Sequence, residues 1–305
     1  MKILRSPVSQ YITITVLYIL LTLLLPANKA AMDIYHLTSA QYHVLVFMVT
    51  IPFVAVWYAA FYGHSRLKQY ATAIQASTEG NDFKSLSRGI GWLAWALVIP
   101  AVLALILSTI GGNNSGFYDA SIVVTNYIYL YLPLVAYILL GNSAQNLTNH
   151  VKLRLTNLSS KSLILVFVIL GVIFCYLTFR QLGSSSLSAA NNAYYLPVWL
   201  VLITIVIPYL FSWFVGLLAA YEILLYSRHT RGLLYRHALQ FLGGGIAVVI
   251  ASSIAFQYIT SITPRTGHLS LNVTLAAIYL IRLLSAAGYV LIAIGASRLK
   301  RIEEV

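Results

Sequence analysis

A single basic side chain lies deep inside an apolar segment of this chain. Arg282 stands 11 residues into an apolar run over 272–297, which is long enough to cross a lipid bilayer. An arginine at the bilayer centre costs at least about 2.5–3.5 kcal/mol, so its guanidinium needs a polar partner, water or a counter-charge. Tyr279, Ser285 and Tyr289 fall on the same helix face as Arg282. This spacing predicts a polar stripe that faces the interior of a helix bundle.

No acidic side chain is expected to neutralise Arg282. The seven acids are predicted to lie in loops, in tails or at the ends of apolar runs: Asp33, Glu79, Asp82, Asp119, Glu222, Glu303 and Glu304. We therefore expect Arg282 to bind an anionic group of a substrate or a lipid, with tyrosine hydroxyls assisting. Candidate partners across the bundle are Asn126, Tyr127 and Tyr131 on one predicted span and Gln257 on another. Alternatively, Arg282 donates to backbone carbonyls or amide side chains and locks helices together.

Other patterns that carry chemistry are missing from the sequence. There is no HExxH arrangement and no glycine-rich phosphate loop with a lysine. The seven histidines fall near or outside the ends of apolar runs, and the single cysteine, Cys175, lies inside one. No pair of buried carboxylates is predicted for general acid–base catalysis. The sequence thus predicts no catalytic residue, no cofactor and no metal site, and it does not predict an enzyme.

The composition indicates a membrane protein. Of the 305 residues, 60% are hydrophobic and 9% are charged, whereas soluble domains carry about 25% charged residues. So few charges cannot cover a surface that faces water, which argues against a soluble enzyme and a disordered chain. The net charge of +12 does not indicate a nucleic-acid partner, because the basic residues cluster at the ends of apolar runs.

The predicted fold is an all-α bundle of transmembrane helices. A helix needs about 20 apolar residues to cross the hydrocarbon core, and in lipid it satisfies its own backbone hydrogen bonds. Eight segments meet this requirement, at 10–26, 43–63, 91–111, 121–140, 162–179, 198–224, 238–261 and 272–297. With eight spans both termini lie on one side, and that side collects 15 basic residues against three on the other. The positive-inside rule therefore predicts cytoplasmic termini.

The eight spans are predicted to form a tandem repeat of four plus four. The segment "VTIPFVAVW" ends at Trp57 and "IVIPYLFSW" ends at Trp213, a spacing of 156 that Tyr70 and Tyr226 also keep. The third and seventh spans match at a spacing of 152, and the fourth and eighth at 150. We assign the first four-helix unit to residues 1–155 and the second to 156–305, within one membrane domain. Four is even, so the repeat is parallel, with its pseudo-two-fold axis along the membrane normal.

Three further patterns predict how the helices meet each other and the membrane surface. Small residues recur every fourth position in the seventh span, at Gly243, Ala247, Ala251 and Ala255, which indicates a helix-packing face. Many tyrosines near span ends, Tyr226 and Tyr235 among them, indicate an interfacial aromatic belt. The stretch over 66–84 is predicted to extend a helix along the membrane interface.

These patterns together favour a multi-pass plasma-membrane protein with passive or anion-selective transport or channel-like activity at the Arg282 stripe. The alternative is a non-catalytic scaffold or a subunit of a larger membrane complex. Expected partners are membrane lipids, a small anionic ligand, and another membrane protein or a second copy of the chain. No nucleic acid is expected to bind.

Overall fold

The computed structural model describes six long helices. It covers residues 38–75, 77–111, 115–149, 202–230, 232–266 and 271–303, together with helical positions 12–17, 20, 166, 169, 172, 173, 176 and 199. The described residues form helices and short connections, with no strand among them. In chain order the helices are α1 Ser39–Ala73, α2 Thr78–Gly111, α3 Ser115–Asn149, α4 Ile207–His229, α5 Leu233–Thr266 and α6 Leu271–Glu303. Five of the eight predicted spans fall within these helices, and the span 198–224 overlaps α4. Most of 10–26 and 162–179 lies outside the described residues.

Local sequence explains where several helices begin and end. A capping box starts α1: the Gln41 backbone N–H donates to Thr38 Oγ1 at 3.3 Å, and the Thr38 backbone N–H donates to Gln41 Oε1 at 2.9 Å. The turn between α4 and α5 contains Gly232 at φ +107°, a conformation that costs glycine little. Pro208 lacks an N–H, and directly before it Leu202–Val206 widens into a π-helical turn.

The six helices pack into a closed ring. Each helix packs along its length against two others, in the order α1, α2, α3, α4, α5, α6 and back to α1. Near the α1–α2 and α4–α5 turns the interior of the ring is filled by fully buried apolar side chains: Leu67, Phe83, Ile223, Leu239 and Leu299. The opposite part of the ring contains a cavity.

Glycines allow α5 and α6 to approach closely. A Cβ atom on Gly245 would lie 2.6 Å from the carbonyl oxygen of Gly288, so the two backbones nearly touch. The predicted small-residue stripe in α5 is only partly correct. Gly243 packs closely against α4, where a Cβ would lie 3.0 Å from the Ala220 oxygen, but Ala251 is exposed. Because α5 has close neighbours on two sides, a single stripe does not account for both contacts.

The stretch over 66–84 extends α1 and begins α2. Helix α1 continues to Ala73, a short turn follows, and α2 begins at Thr78. Leu67 is fully buried and Tyr70 is nearly so, which places this part of the chain in the core of the bundle. The predicted helical extension is therefore present, and Leu67 and Tyr70 pack in the core of the bundle.

The outward faces of the ring are apolar. Large exposed hydrophobic side chains include Trp95 on α2, Phe214 on α4 and Leu280 on α6. Within the described residues, three helical segments are long and apolar enough to cross a membrane: Ile207–His229, Leu233–Phe256 and Tyr279–Lys300. A water-soluble surface would not expose so many apolar side chains on one belt. The chain is thus an all-helical membrane protein.

Candidate functional site

Two phenyl rings from different helices flank the Arg282 guanidinium. Its Cζ atom lies 4.2 Å from the ring centroid of Phe53 on α1 and 4.3 Å from that of Phe256 on α5. Both distances are well within the range of cation–π attraction, which partly compensates for removing the charge from water. A phenyl ring accepts no ordinary hydrogen bond through a lone pair. The Nε atom of Arg282 is buried and has no hydrogen-bond partner among the described residues.

Arg282 lines a cavity in the interior of the ring. The cavity has a volume of about 70 Å³, and five helices, α2 to α6, contribute to its wall. Its hydroxyl groups come from tyrosines and serines of four helices: Tyr137, Tyr209, Ser212, Ser252, Ser253, Ser285 and Tyr289. Arg282 is the only charged residue in the described lining, so a positive charge lies among hydroxyl groups at the cavity wall.

The dimensions of the cavity limit what it can hold. One water molecule takes about 30 Å³ of liquid volume, so about 70 Å³ accommodates roughly two waters or one small anion. A guanidinium with an unused N–H, surrounded by neutral hydroxyls, attracts such an anion electrostatically.

The structure brings together part of the predicted site. Ser285 and Tyr289 line the cavity with Arg282, whereas Tyr279 on α6 and Tyr131 on α3 are not in its described lining. The structure describes the backbone at Asn126, Tyr127 and Gln257 as helical but does not describe their side chains.

Two acids are buried within helices, Asp82 on α2 and Glu222 on α4. Glu222 lies within α4 and its side chain is 0% exposed, which corrects the prediction that every acid occupies a loop, a tail or a span end. The sequence boundary at 224 misplaced it, because α4 continues to His229. Glu222 does not line the cavity of Arg282. Acidic side chains are therefore not confined to loops, tails and span ends.

A hydrogen-bonded cluster joins the helix ends about 20 Å along α4 from the cavity. The Tyr226 hydroxyl donates to Glu79 Oε1 at 2.8 Å, and the Tyr235 hydroxyl donates to Glu79 Oε2 at 3.4 Å. Tyr70 is a further neighbour of Tyr235. We call Tyr70, Glu79, Tyr226 and Tyr235 the Glu79 cluster. It connects the α1–α2 turn with the α4–α5 turn across the end of the ring.

The Glu79 cluster changes the interpretation of two tyrosines. Tyr226 and Tyr235 were expected in an interfacial aromatic belt, but Tyr226 is buried and both hydroxyls bind a carboxylate inside the bundle. Position near a span end does not distinguish a tyrosine that faces lipid from one that faces the ring interior. The helix face on which a tyrosine lies determines whether it faces lipid or the ring interior, and Tyr226 lies on the buried face of α4.

Sequence reasoning missed the two phenylalanines that hold Arg282. A signal for one of them was present, since Phe53 follows Pro52 in the first copy of the repeated motif and Tyr209 follows Pro208 in the second. Phe53 contacts Arg282 and Tyr209 lines its cavity. Phe256 has no such signal in the sequence.

Comparison with known proteins does not add a functional assignment to this geometry. Among the described residues, no group of three histidine, cysteine or acidic side chains is arranged to hold a metal ion. No family model, curated protein or solved structure matches the chain.

Proposed function

We propose that the chain is a tandem repeat of two four-helix units, 1–155 and 156–305, with eight spans and cytoplasmic termini in the plasma membrane. The order of the ring supports this proposal. Exchanging α1 with α4, α2 with α5 and α3 with α6 maps every neighbouring pair of helices onto another neighbouring pair. A parallel repeat with a two-fold axis along the membrane normal has this property.

Contacts at equivalent positions also support the repeat. Gly91 packs against His64, where a Cβ would lie 2.9 Å from the imidazole ring, and its counterpart Gly243 packs against Ala220. His64 and Ala220 keep the spacing of 156, whereas the two glycines keep the spacing of 152. The α1–α2 crossing thus resembles the α4–α5 crossing, with a close approach at a glycine in each, as the proposed repeat requires.

The residues around the cavity are consistent with a position between the two proposed units. Leu97 and Val249 are counterparts in the proposed repeat and both line the cavity, while of the proposed counterparts Phe53 and Tyr209 the first contacts Arg282 and the second lines the cavity. In a parallel repeat, the space between the units is where a ligand or a pathway is expected.

The proposed function is binding of a small inorganic anion at Arg282, in the service of passive or anion-selective transport or channel-like activity without enzymatic chemistry. The observation that carries this proposal is the buried Nε of Arg282, which has an unused N–H beside a cavity lined by hydroxyls. A buried N–H donor without a partner costs about 1–3 kcal/mol, and an anion removes that cost. The Glu79 cluster closes one end of the ring, so the described conformation corresponds to a closed state of such a pathway.

One observation favours a second function. The contacts of Arg282 with Phe53 and Phe256 tie α1, α5 and α6 together, as expected if the arginine holds the bundle in shape. In that case the protein serves as a scaffold or a subunit of a membrane complex, possessing no pathway. A stoichiometric partner that co-purifies from native membranes supports this alternative.

Anion flux into liposomes that contain only the purified chain tests the transport proposal. We expect iodide to enter faster than in protein-free liposomes, measured by quenching of an enclosed halide-sensitive dye. Arg282→Gln removes the charge but keeps a polar side chain, and it should abolish the protein-dependent flux. Arg282→Lys keeps the charge and should retain part of the flux.

The matched control is Arg236→Gln, which removes an exposed arginine from α5 and should leave the flux unchanged. Circular dichroism establishes that each variant is folded. Two results refute the transport proposal. One is a wild-type flux that Arg282→Gln leaves unchanged, and the other is the absence of flux in the folded wild type.

A further inference from the structure

A groove runs between α1 and α6 on the outside of the ring. Its volume is about 520 Å³, which is within the usual range of small-molecule sites. Its walls are mostly small and apolar, and the described lining consists of Ala55, Tyr58, Ala59, Tyr62, Val290, Ala293, Ile294, Ser297 and Arg298. Small side chains on both helices leave room for a long flexible apolar chain.

Two arginines lie at one end of this groove. Arg298 belongs to its lining, and the Cζ atom of Arg66 lies 5.0 Å from the ring centroid of Tyr62, another lining residue. Arg298 Cζ lies 4.4 Å from the ring centroid of Phe241 on α5. These aromatic contacts help to position both charges, and Arg66 Nη1 also donates a hydrogen bond to Gln69 Oε1 at 3.4 Å. The Nε atom of Arg66 is buried and has no hydrogen-bond partner in the part of the chain that the structure describes.

The groove therefore combines an apolar body with a positively charged end. Its described lining contains no acidic residue that would neutralise the two arginines. The arginines lie toward the carboxyl ends of α1 and α6, at the end of the ring where the α1–α2 turn lies. That end carries the basic residues that face the anionic leaflet in the proposed topology.

We propose that the groove between α1 and α6 binds one anionic phospholipid. An acyl chain lies along Ala55, Ala59 and Ala293, and the phosphodiester accepts hydrogen bonds from Arg66 and Arg298. Charge complementarity favours an anionic lipid over a zwitterionic one, because the described lining offers no acidic side chain as a counter-charge for the two arginines. This site is separate from the Arg282 cavity and does not depend on the proposed transport.

Native mass spectrometry of the full chain in detergent tests this proposal. The probes are phosphatidylglycerol and phosphatidylcholine with identical acyl chains. We expect one phosphatidylglycerol to bind more tightly than phosphatidylcholine. Arg66→Gln and Arg298→Gln should each weaken phosphatidylglycerol binding about fivefold and phosphatidylcholine binding by less, so that the preference for phosphatidylglycerol falls.

Two further variants test whether the lipid binds in this groove and not elsewhere on the protein. Ala55→Trp fills the groove from an exposed position and should abolish the binding of phosphatidylglycerol. The control Arg88→Gln removes an exposed arginine of α2 that does not line the groove, and it should change nothing. Equal affinity for the two lipids overturns the proposal, as does lipid binding that survives Ala55→Trp. A lipid-free dimer that Ala55→Trp dissociates also overturns it, because the groove is then an interface between two copies.

Discussion

Phe53 is expected to stabilise the charge of Arg282, and a double-mutant cycle measures that interaction. The guanidinium carbon lies 4.2 Å from the Phe53 centroid, inside the limit of about 6 Å for cation–π attraction. Such contacts contribute about 0.5–1 kcal/mol at exposed sites and about 2 kcal/mol where water is excluded. Arg282 is partly buried, so we expect a coupling free energy of about 1–2 kcal/mol between the two residues.

The cycle compares the wild type, Phe53→Leu, Arg282→Gln and the double variant. Reversible unfolding in mixed micelles with a rising fraction of dodecyl sulfate, followed by circular dichroism, gives each free energy of unfolding. The cost of the space left by Phe53→Leu cancels in the cycle, which leaves the interaction alone. A coupling within about 0.3–0.5 kcal/mol of zero, the usual range for independent sites, refutes the reasoning.

Phe61→Leu is the matched control for this cycle. Phe61 also lies on α1 but packs edge-on against Trp95 at 5.3 Å instead of contacting a cation. Its effect should add to that of Arg282→Gln without coupling. Phe256→Leu repeats the test from α5 and should give a similar coupling, because its centroid lies 4.3 Å from the same guanidinium carbon.

The remaining predictions concern stability and the closed end of the ring. Gly245→Ala should lower the free energy of unfolding by about 1–3 kcal/mol, because its Cβ would meet a backbone oxygen 2.6 Å away. Gly244→Ala is its control: no atom lies within 4 Å, so stability should be unchanged or rise by up to about 1 kcal/mol in the same micelle assay. Tyr226→Phe should cost about 1.5–3 kcal/mol, since it removes the donor to Glu79, whereas the exposed Tyr221→Phe should cost almost nothing. If the ring conducts anions, Glu79→Gln should also raise iodide flux by weakening the closed end; unchanged flux with intact folding contradicts that role for the cluster.

The helices were predictable from sequence because long apolar runs leave the chain one way to satisfy its backbone in lipid. The ends of the helices were less predictable from sequence. The prediction ended one span at 63 and another at 224, but α1 continues to Ala73 and α4 to His229. Polar residues beyond the apolar runs remain helical because they pack against each other inside the ring, as the Glu79 cluster does.

The site was predictable in part for a similar reason. A charge in an apolar run is conspicuous, and helical periodicity places Ser285 and Tyr289 on its face. Periodicity within one helix does not say which other helix comes opposite, so Phe256 was not foreseen. The same limit explains Glu222, whose burial depends on the length of α4 and on its neighbours in the ring.

The most direct test of the central proposal is to locate an anion at Arg282. Crystals grown in lipid and soaked in bromide would show bound halide by its anomalous scattering. The proposal predicts a bromide in the cavity, within hydrogen-bonding distance of Arg282 Nε. Bromide sites on the protein surface together with an empty cavity at Arg282 would contradict it, and would leave the arginine as a residue that holds the helices together.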